Sequence, residues 1–224
     1  MAKSKSSPTK LKSLGLIALS TITGGFLTLT FKGNTKINVP AYHAVRVIDG
    51  DTFETTEKQW IRISGIDAPE TGMCGSKEAK QALEKLILNK DIYLKVTYHD
   101  STRLMAIVYT KDGLVATKMI SSGRAEFINK DDYKIPEMAQ ASKYAQSQKL
   151  GLFGPPCTQE TNPQNPKCLI KGNNTTLSGP TYHLPGCNSY AGTKVQLHHG
   201  DQWFFTEEEA IKAGYTKAKN CPDN

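Results

Sequence analysis

The chain has 224 residues, of which 38% are hydrophobic and 22% charged, an ordinary composition for a globular protein of one domain or two small ones. Its formal net charge is +7, but residues 1–40 carry six lysines and no acidic residue. Residues 41–157 hold 16 basic against 15 acidic side chains, and residues 158–224 hold six of each. A broadly basic surface is therefore excluded beyond the N-terminal segment, so any nucleic-acid binding must come from local geometry.

The N-terminal segment has the pattern of an export or anchoring sequence. Residues 1–13 form a basic tail, and residues 14–31 form an uncharged run of about 18 residues, the short limit for a membrane-spanning helix. The lysines would stay in the cytoplasm, which makes the remainder extracytoplasmic. The small residues at 23–25 leave a cleaved signal and a secreted protein open, but no A-x-A pattern is present, which favours a retained membrane anchor.

A polar connector, residues 32–43, leads into a domain of short strands and helices. The stretch 47–70, VIDGDTFETTEKQWIRISGIDAPE, predicts a hairpin, because apolar and polar residues alternate on both sides of a polar turn. Beyond it the sequence predicts a helix capped by Ser76, then two strands, then helices over about 114–122 and 136–151. Several short strands with inserted helices favour an α+β domain built on a barrel.

The hairpin concentrates acidic residues and one arginine. Asp49 and Asp51 lie at the end of its first strand, Arg62 lies in the second, and Asp67 and Glu70 follow in a proline-containing turn. Because a hairpin brings strand ends together, these groups are expected to meet at one place. A hard cation prefers carboxylate oxygens, and a guanidinium donates paired hydrogen bonds to phosphate. The alternative is an ordinary surface ion pair and a turn cap.

Residues 44–154 as a whole resemble the staphylococcal-nuclease-like, or thermonuclease, family. Four pieces of sequence carry the resemblance: VIDGDT, IRISGIDAPE, the helix SKEAKQAL and the strand that Arg103 opens. It implies an OB-type five-stranded β-barrel with three helices. It also implies a calcium-dependent, monomeric endonuclease that hydrolyses DNA and RNA without sequence specificity and leaves 3'-phosphates. The alternative is a non-catalytic OB-fold module that binds nucleic acid or a cell-surface polymer.

The resemblance assigns roles to residues of the hairpin. It implies that Ca²⁺ is bound by the carboxylates of Asp51 and Asp67 and by the backbone carbonyl of Ala68. Glu70 would orient or deprotonate the attacking water. Asp49 would support the metal-binding turn.

The same resemblance implies that Arg62 and Arg103 are the two cations that bind the phosphate. The turn before Arg103, HDSTR, is one residue shorter than the D-x-Y-G-R usual in the family and lacks its tyrosine. Asp100 is expected to brace this turn. Tyr133, in the polar loop NKDDYK, is either a base-stacking ring that replaces the missing tyrosine or an ordinary surface residue.

The C-terminal part begins with a proline-rich segment, residues 155–167, whose composition predicts a semi-rigid linker. The cysteine-containing segment 168–221 resembles the small sunset module found behind extracellular nuclease domains. Within it, His198 and His199 are predicted to be solvated loop residues.

The C-terminal module is more distantly similar to the zinc module of a bacterial DNA-alkylation repair protein, through H-x-P-x-C and a final cysteine. This similarity offers His183, Cys187 and Cys221 as Zn²⁺ ligands, with Cys168 or a nearby histidine as the fourth. Zinc is the less favoured alternative, because extracytoplasmic cysteines usually form disulfides.

If the extracytoplasmic cysteines form disulfides, two pairs are expected. Cys74 is expected to pair with Cys157 and to bracket the nuclease-like domain, a loop whose closure is worth about 4 kcal/mol in the chain-entropy model. Cys187 is expected to pair with Cys221. Cys168 is then left as a free thiol or an intermolecular partner.

Overall fold

The structure is a computed structural model that describes residues 19–23, 26–30, 36–99, 102–128, 135–174 and 179–222. The chain divides into two compact units, Met1–Ala41 and Tyr42–Asn224.

The first unit contains an antiparallel sheet of three strands, β1 (Leu19–Thr23), β2 (Phe26–Thr30) and β3 (Lys36–Pro40). The helix predicted over residues 14–31 is therefore wrong for the described part of that run. Threonine and other β-branched residues favour extended backbone, and LTLT at 27–30 alternates with the period of a strand. In the part of the chain that the structure describes, no helix is long and apolar enough to cross a membrane.

The second unit begins with a closed barrel. Its strands, including the short ones outside the barrel, are β4 (Tyr42–Val47), β5 (Thr52–Thr55), β6 (Trp60–Ile63), β7 (Ile66–Asp67), β8 (Asp91–His99), β9 (Leu104–Thr110), β10 (Gly113–Leu114) and β11 (Glu126–Phe127). The barrel runs in the order β4-β5-β6-β9-β8 and closes through β8 against β4. Only β6 and β9 are parallel among its pairs. The predicted α+β fold with an OB-type five-stranded barrel is confirmed.

The hairpin of β5 and β6 shows why the barrel presents an arginine. Phe53, Ile61 and Ile63 are fully buried in the barrel core. Since successive residues of a strand point to opposite faces, Arg62 between the two isoleucines is directed to the other face.

Three helices cover the barrel: α1 (Ser76–Ile87), α2 (Val115–Ser121) and α3 (Pro136–Ser147). The predicted cap Ser76 is the first helical residue instead, and Gly75 is the N-cap with a φ of 82°. The positive φ favours glycine at this position, and a β-carbon there would also lie 2.6 Å from the terminal methyl of Leu152.

The C-terminal module contains a second small core. Its elements are β12 (Thr158–Gln159), β13 (Ile170–Asn173), β14 (Thr181–His183), β15 (Val195–Gln196), β16 (Gln202–Phe204), α4 (Glu207–Lys212) and β17 (Thr216–Lys217). Four strands form a sheet in the order β16-β13-β14-β17. Tyr182, Phe204 and Tyr215 pack in its core with Ile170 and Ala210.

The segment 155–167 differs from the linker that its prolines predict. Strand β12 lies within it and pairs with β15, and both residues of β12 are buried. The indole nitrogen of Trp203 donates a 2.7 Å hydrogen bond to Gln159. These contacts attach the segment to the C-terminal module, because backbone pairing and a side-chain hydrogen bond both fix its path.

Both predicted disulfides are confirmed. Cys74 pairs with Cys157, and Cys187 pairs with Cys221. Cys168 is a buried free cysteine. The alternative Zn²⁺ site is wrong, because the sulfur atoms of Cys187 and Cys221 are bonded to each other and His183 contacts the hydroxyl of Ser189 at 3.0 Å.

Candidate active site

The turn Asp49–Gly50–Asp51 is held by its own first carboxylate. Oδ1 of Asp49 accepts hydrogen bonds from the backbone N–H groups of Asp51 at 3.0 Å and Thr52 at 2.8 Å. Such a turn is a common use of aspartate, whose short side chain reaches the backbone two residues ahead. Asp49 therefore has the supporting position that the sequence predicts.

Gly50 allows this turn to pack closely against Ala68 and Ala79. A β-carbon there would lie 2.5 Å from the β-carbon of Ala68 and 2.7 Å from that of Ala79 in α1. No side chain fits at those distances. The central glycine of D-G-D thus brings Asp51 close to the segment that follows β7.

Asp51 is a buried carboxylate, with 2% of the residue exposed. Its Oδ2 accepts a 2.9 Å hydrogen bond from the backbone N–H of Ala68, and its Oδ1 accepts one from the hydroxyl of Thr52. Burial raises the pKa of Asp51 to about 6, although the neighbouring Arg62 acts in the opposite direction. An ionised Asp51 is costly without a cation, because desolvation penalises its charge.

Arg62 joins the two aspartates of the predicted metal site. One nitrogen of its guanidinium donates to Oδ1 of Asp51, and the other donates to Oδ1 of Asp67 at 2.6 Å. The two carboxylates therefore converge on a single positive group. They lie in different strands and turns, and the fold brings them together as the sequence predicts.

Asp67, Ala68 and Glu70 lie along one open depression of the surface. The side chain of Asp67 is half exposed, and Glu70 is exposed. A group that binds water or substrate must be accessible, and these three residues meet that requirement. The structure places Glu70 beside Asp67, as the D-x-P-E spacing indicates.

Arg103 directly precedes β9 and is half-buried. In the parallel pair of β6 and β9, Arg62 lies opposite Met105. Because side chains alternate along a strand, the position two residues before Met105 belongs to the same face of the sheet as Arg62. Strand alternation carried back to Arg103, one residue before β9 begins, would put this arginine on the face of Arg62, although the two are 41 residues apart in the printed sequence.

The donor set fits a hard divalent cation. Asp51 and Asp67 offer carboxylate oxygens that already converge on one cationic group, and the backbone N–H of Ala68 contacts the Asp51 carboxylate, which brings the backbone of Ala68 close to these oxygens. Calcium takes oxygen ligands of both kinds with flexible geometry. Asp100 and Tyr133 lie outside the described residues.

Glu126, His198 and His199 are the site residues that the sequence does not predict. Their side chains line the same depression as Asp67 and Glu70. Nε2 of His198 lies 3.2 Å from Oε1 of Glu126, and Nε2 of His199 lies 3.1 Å from the same oxygen. The prediction of solvated histidines is therefore wrong, since the side chain of His198 is 3% exposed.

Comparisons with known proteins agree with this geometry. The family model described as staphylococcal nuclease homologue matches residues 60–154. A probable staphylococcal-like nuclease, CAN1, from Oryza sativa subsp. japonica is 36% identical over 113 residues, which are 49% of this chain and 32% of that protein. The chain thus spans about a third of that relative's length.

Two bacterial relatives are covered over most of their length. A protein named micrococcal nuclease from Shigella flexneri is 28% identical over 149 residues, which are 55% of this chain and 82% of that protein. A thermonuclease from Staphylococcus hyicus is 29% identical over 136 residues, which are 54% of this chain and 80% of that protein.

Proposed function

Residues 60–154 form a domain of the staphylococcal nuclease family, and on this premise we propose that the protein is a calcium-dependent endonuclease. It hydrolyses phosphodiester bonds of DNA and RNA without sequence specificity and leaves 3'-phosphates. The observation that supports this proposal most is the bridge that Arg62 makes between the carboxylates of Asp51 and Asp67. It assembles metal ligands and a phosphate-binding cation at one accessible place.

The two arginines bind the scissile phosphate. Attack on phosphorus adds negative charge to the non-bridging oxygens, and a guanidinium donates two parallel hydrogen bonds to such oxygens. We expect Arg103, which directly precedes β9, to reach the phosphate that Arg62 binds, because alternation carried back from Met105 puts position 103 on the face of Arg62. Lysine would supply charge but no paired donors.

Asp51, Asp67 and the carbonyl of Ala68 would hold the calcium ion. The ion would supply a Lewis acid for the phosphoryl oxygen and a docking point for water. With the two carboxylates neutralised in this way, Arg62 would be available to bind the phosphate. A cation there would also balance the charge of Asp51, which burial disfavours.

Glu70 acts on the attacking water. Its carboxylate is exposed in the depression that also contains Asp67, three residues earlier. It accepts a hydrogen bond from the water, orients it towards phosphorus, and takes its proton as the new P–O bond forms. The P–O5' bond on the opposite side breaks, the leaving 5'-oxygen takes a proton from solvent water to become a hydroxyl, and the phosphate stays on the 3' side.

Both disulfides support an extracytoplasmic location. Structural disulfides persist in oxidising compartments and are rare in the cytosol. The pair Cys74–Cys157 ties α1 to the end of the nuclease domain, and the pair Cys187–Cys221 lies in the C-terminal module. We propose that the protein acts outside the cytoplasm.

The test is cleavage of plasmid DNA and of RNA by the full chain, with calcium and with a chelator. Cleavage that needs calcium and falls strongly in Glu70→Gln and Arg62→Ala supports the proposal. Arg46→Ala is the matched control, because Arg46 pairs with Glu54 on the exposed side of the neighbouring strands. Binding of nucleic acid without cleavage would favour a non-catalytic OB-fold module instead.

A further inference from the structure

Glu126, His198 and His199 form a compact cluster of metal-ligating groups where the nuclease domain contacts the C-terminal module. Glu126 belongs to β11 and lies directly opposite Asp67 of β7. The histidines belong to a 3-10 helix, Leu197–His199. One ligand atom from each of the three side chains lies within 4.8 Å of the other two.

The 3-10 helix that carries the two histidines is fixed to the segment around Cys157 by a backbone hydrogen bond. The backbone N–H of Leu197 donates a 2.8 Å hydrogen bond to the carbonyl of Cys157, which is itself in a disulfide. Among the residues that the structure describes, Nδ1 of His198 is buried and has no hydrogen-bond partner, whereas its Nε2 faces Glu126. The ring of His198 therefore presents Nε2 to the cluster, and Nε2 of His199 approaches the same carboxylate oxygen.

The cluster combines one carboxylate, which supplies negative charge, with two imidazole rings, which each supply a nitrogen donor, and this combination suits a divalent cation. Hydrogen bonds from His198 and His199 outweigh burial and lower the pKa of Glu126 to about 2. The same contact with Glu126 raises the pKa of His199, so a bound cation would displace a proton from that ring.

The chemistry of these donors selects the class of cation. Two imidazole nitrogens and one carboxylate oxygen are a common ligand set for Zn²⁺ and similar transition metals. Calcium prefers six to eight oxygen ligands and gains little from imidazole. The cluster is also open on one side to the depression that contains Asp67 and Glu70, so a fourth position is accessible to water.

We propose that Glu126, His198 and His199 bind one divalent transition-metal ion of the zinc class, in a site separate from the calcium ligands. Such an ion would join β11 of the nuclease domain to the C-terminal module through residues 72 positions apart in the chain. It would also place a second cation beside Asp67, which pairs with Glu126 across two strands.

The experiment measures zinc binding to the tag-free full chain after removal of metals. All proteins carry Cys168→Ser, so that the free cysteine contributes no ligand. We expect one equivalent of zinc by calorimetry and elemental analysis. We expect Glu126→Gln, His198→Gln and His199→Gln each to weaken binding by about tenfold or more, since even outer-shell partners of metal ligands have effects of that size.

A matched control is His43→Gln. His43 also contacts a carboxylate, Asp91 at 3.5 Å, but no second imidazole is near that pair in the described structure. Zinc affinity should be unchanged in this variant. Cobalt(II) provides an independent readout, because its visible absorption band should appear with the parent protein and be absent with His199→Gln.

The proposal is overturned if the parent protein binds no zinc, or if the three variants bind it as tightly as His43→Gln does. His199 is a quarter exposed, so His199→Gln tests the site without replacing the buried His198. Circular dichroism of the metal-free variants checks that they are folded. Since no nucleic acid is present, failure here is distinguishable from failure of the proposed nuclease activity.

Discussion

The backbone N–H of Ala68 donates a 2.9 Å hydrogen bond to the carboxylate of Asp51, 17 residues earlier in the chain. This bond connects the D-G-D turn to the residue whose carbonyl is proposed to bind calcium. The hydrogen bond therefore joins the two halves of the proposed metal site. Variants that disturb the contact between Asp51 and Ala68 should weaken calcium binding and lower the free energy of unfolding together.

Replacing Arg62 with lysine should reduce cleavage strongly while leaving the fold intact. Lysine keeps the positive charge but lacks the planar pair of donors that a guanidinium offers to a phosphate. We expect kcat to fall by about 10²–10³, the range measured when one transition-state hydrogen-bond donor is removed. Steady-state kinetics at saturating calcium provides the measurement. Arg46→Lys should retain full activity, and equal losses in both variants would contradict the role of Arg62.

Replacing Gly50 with alanine should destabilise the protein and weaken calcium binding. The added β-carbon would lie 2.5 Å from that of Ala68 and 2.7 Å from that of Ala79, so the turn must move. Overpacking of this kind costs about 1–3 kcal/mol. Chemical denaturation and calcium titration measure the two effects. Gly192→Ala is the control. A β-carbon added at Gly192 would lie 3.7 Å from the nearest atom, the carbonyl oxygen of Ser189, which is an ordinary contact distance.

The local part of the site could be predicted from the sequence, because it depends on strand alternation and turn chemistry. Ile61, Arg62 and Ile63 alternate, so the arginine must face away from the core. The cluster of Glu126 with His198 and His199 could not be predicted, since its partners are 72 residues apart and belong to separate modules. The only local signal was the adjacent pair of histidines, which is equally common in exposed loops.

The uncharged run at residues 14–31 shows a second limit of prediction from sequence. An uncharged stretch rich in leucine and threonine satisfies the length requirement of a helix and also the alternation of a strand. The described residues adopt the strand pattern, with β1 and β2 paired from Leu19 opposite Thr30 to Thr23 opposite Phe26. Periodicity alone does not decide between the two when the run is this short.

Removing the disulfide between Cys74 and Cys157 should destabilise the nuclease domain. The bond closes a loop with a sequence separation of 83, for which chain entropy predicts about 4.5 kcal/mol. Urea denaturation of the double variant Cys74→Ser/Cys157→Ser measures the loss. Cys168→Ser removes a buried thiol without opening a loop and should cost clearly less. A similar loss in both proteins would contradict the structural role of the bond.

Tyr182 should make the stability of the C-terminal module sensitive to alkaline pH. Burial, and then the 2.7 Å hydrogen bond that its hydroxyl donates to Glu207, raise the pKa of Tyr182 to about 12. The unfolded chain releases this proton near pH 10, whereas the folded protein keeps it. The stabilising contribution is therefore complete below about pH 10 and is lost as the pH rises towards about 12.

The measurement compares the free energy of unfolding at about pH 9 and about pH 11 in the parent protein and in Tyr182→Phe. The parent should lose about 1 kcal/mol more than the variant over this interval, because only the parent carries the raised pKa. Tyr144→Phe is the control, since Tyr144 is 56% exposed and should leave the alkaline loss unchanged. Phenolate absorbance checks the assignment, because Tyr182→Phe should lose one of the tyrosines that ionise near pH 12 in the parent protein. Identical pH dependence in the parent and Tyr182→Phe would show that the hydrogen bond to Glu207 does not hold the proton.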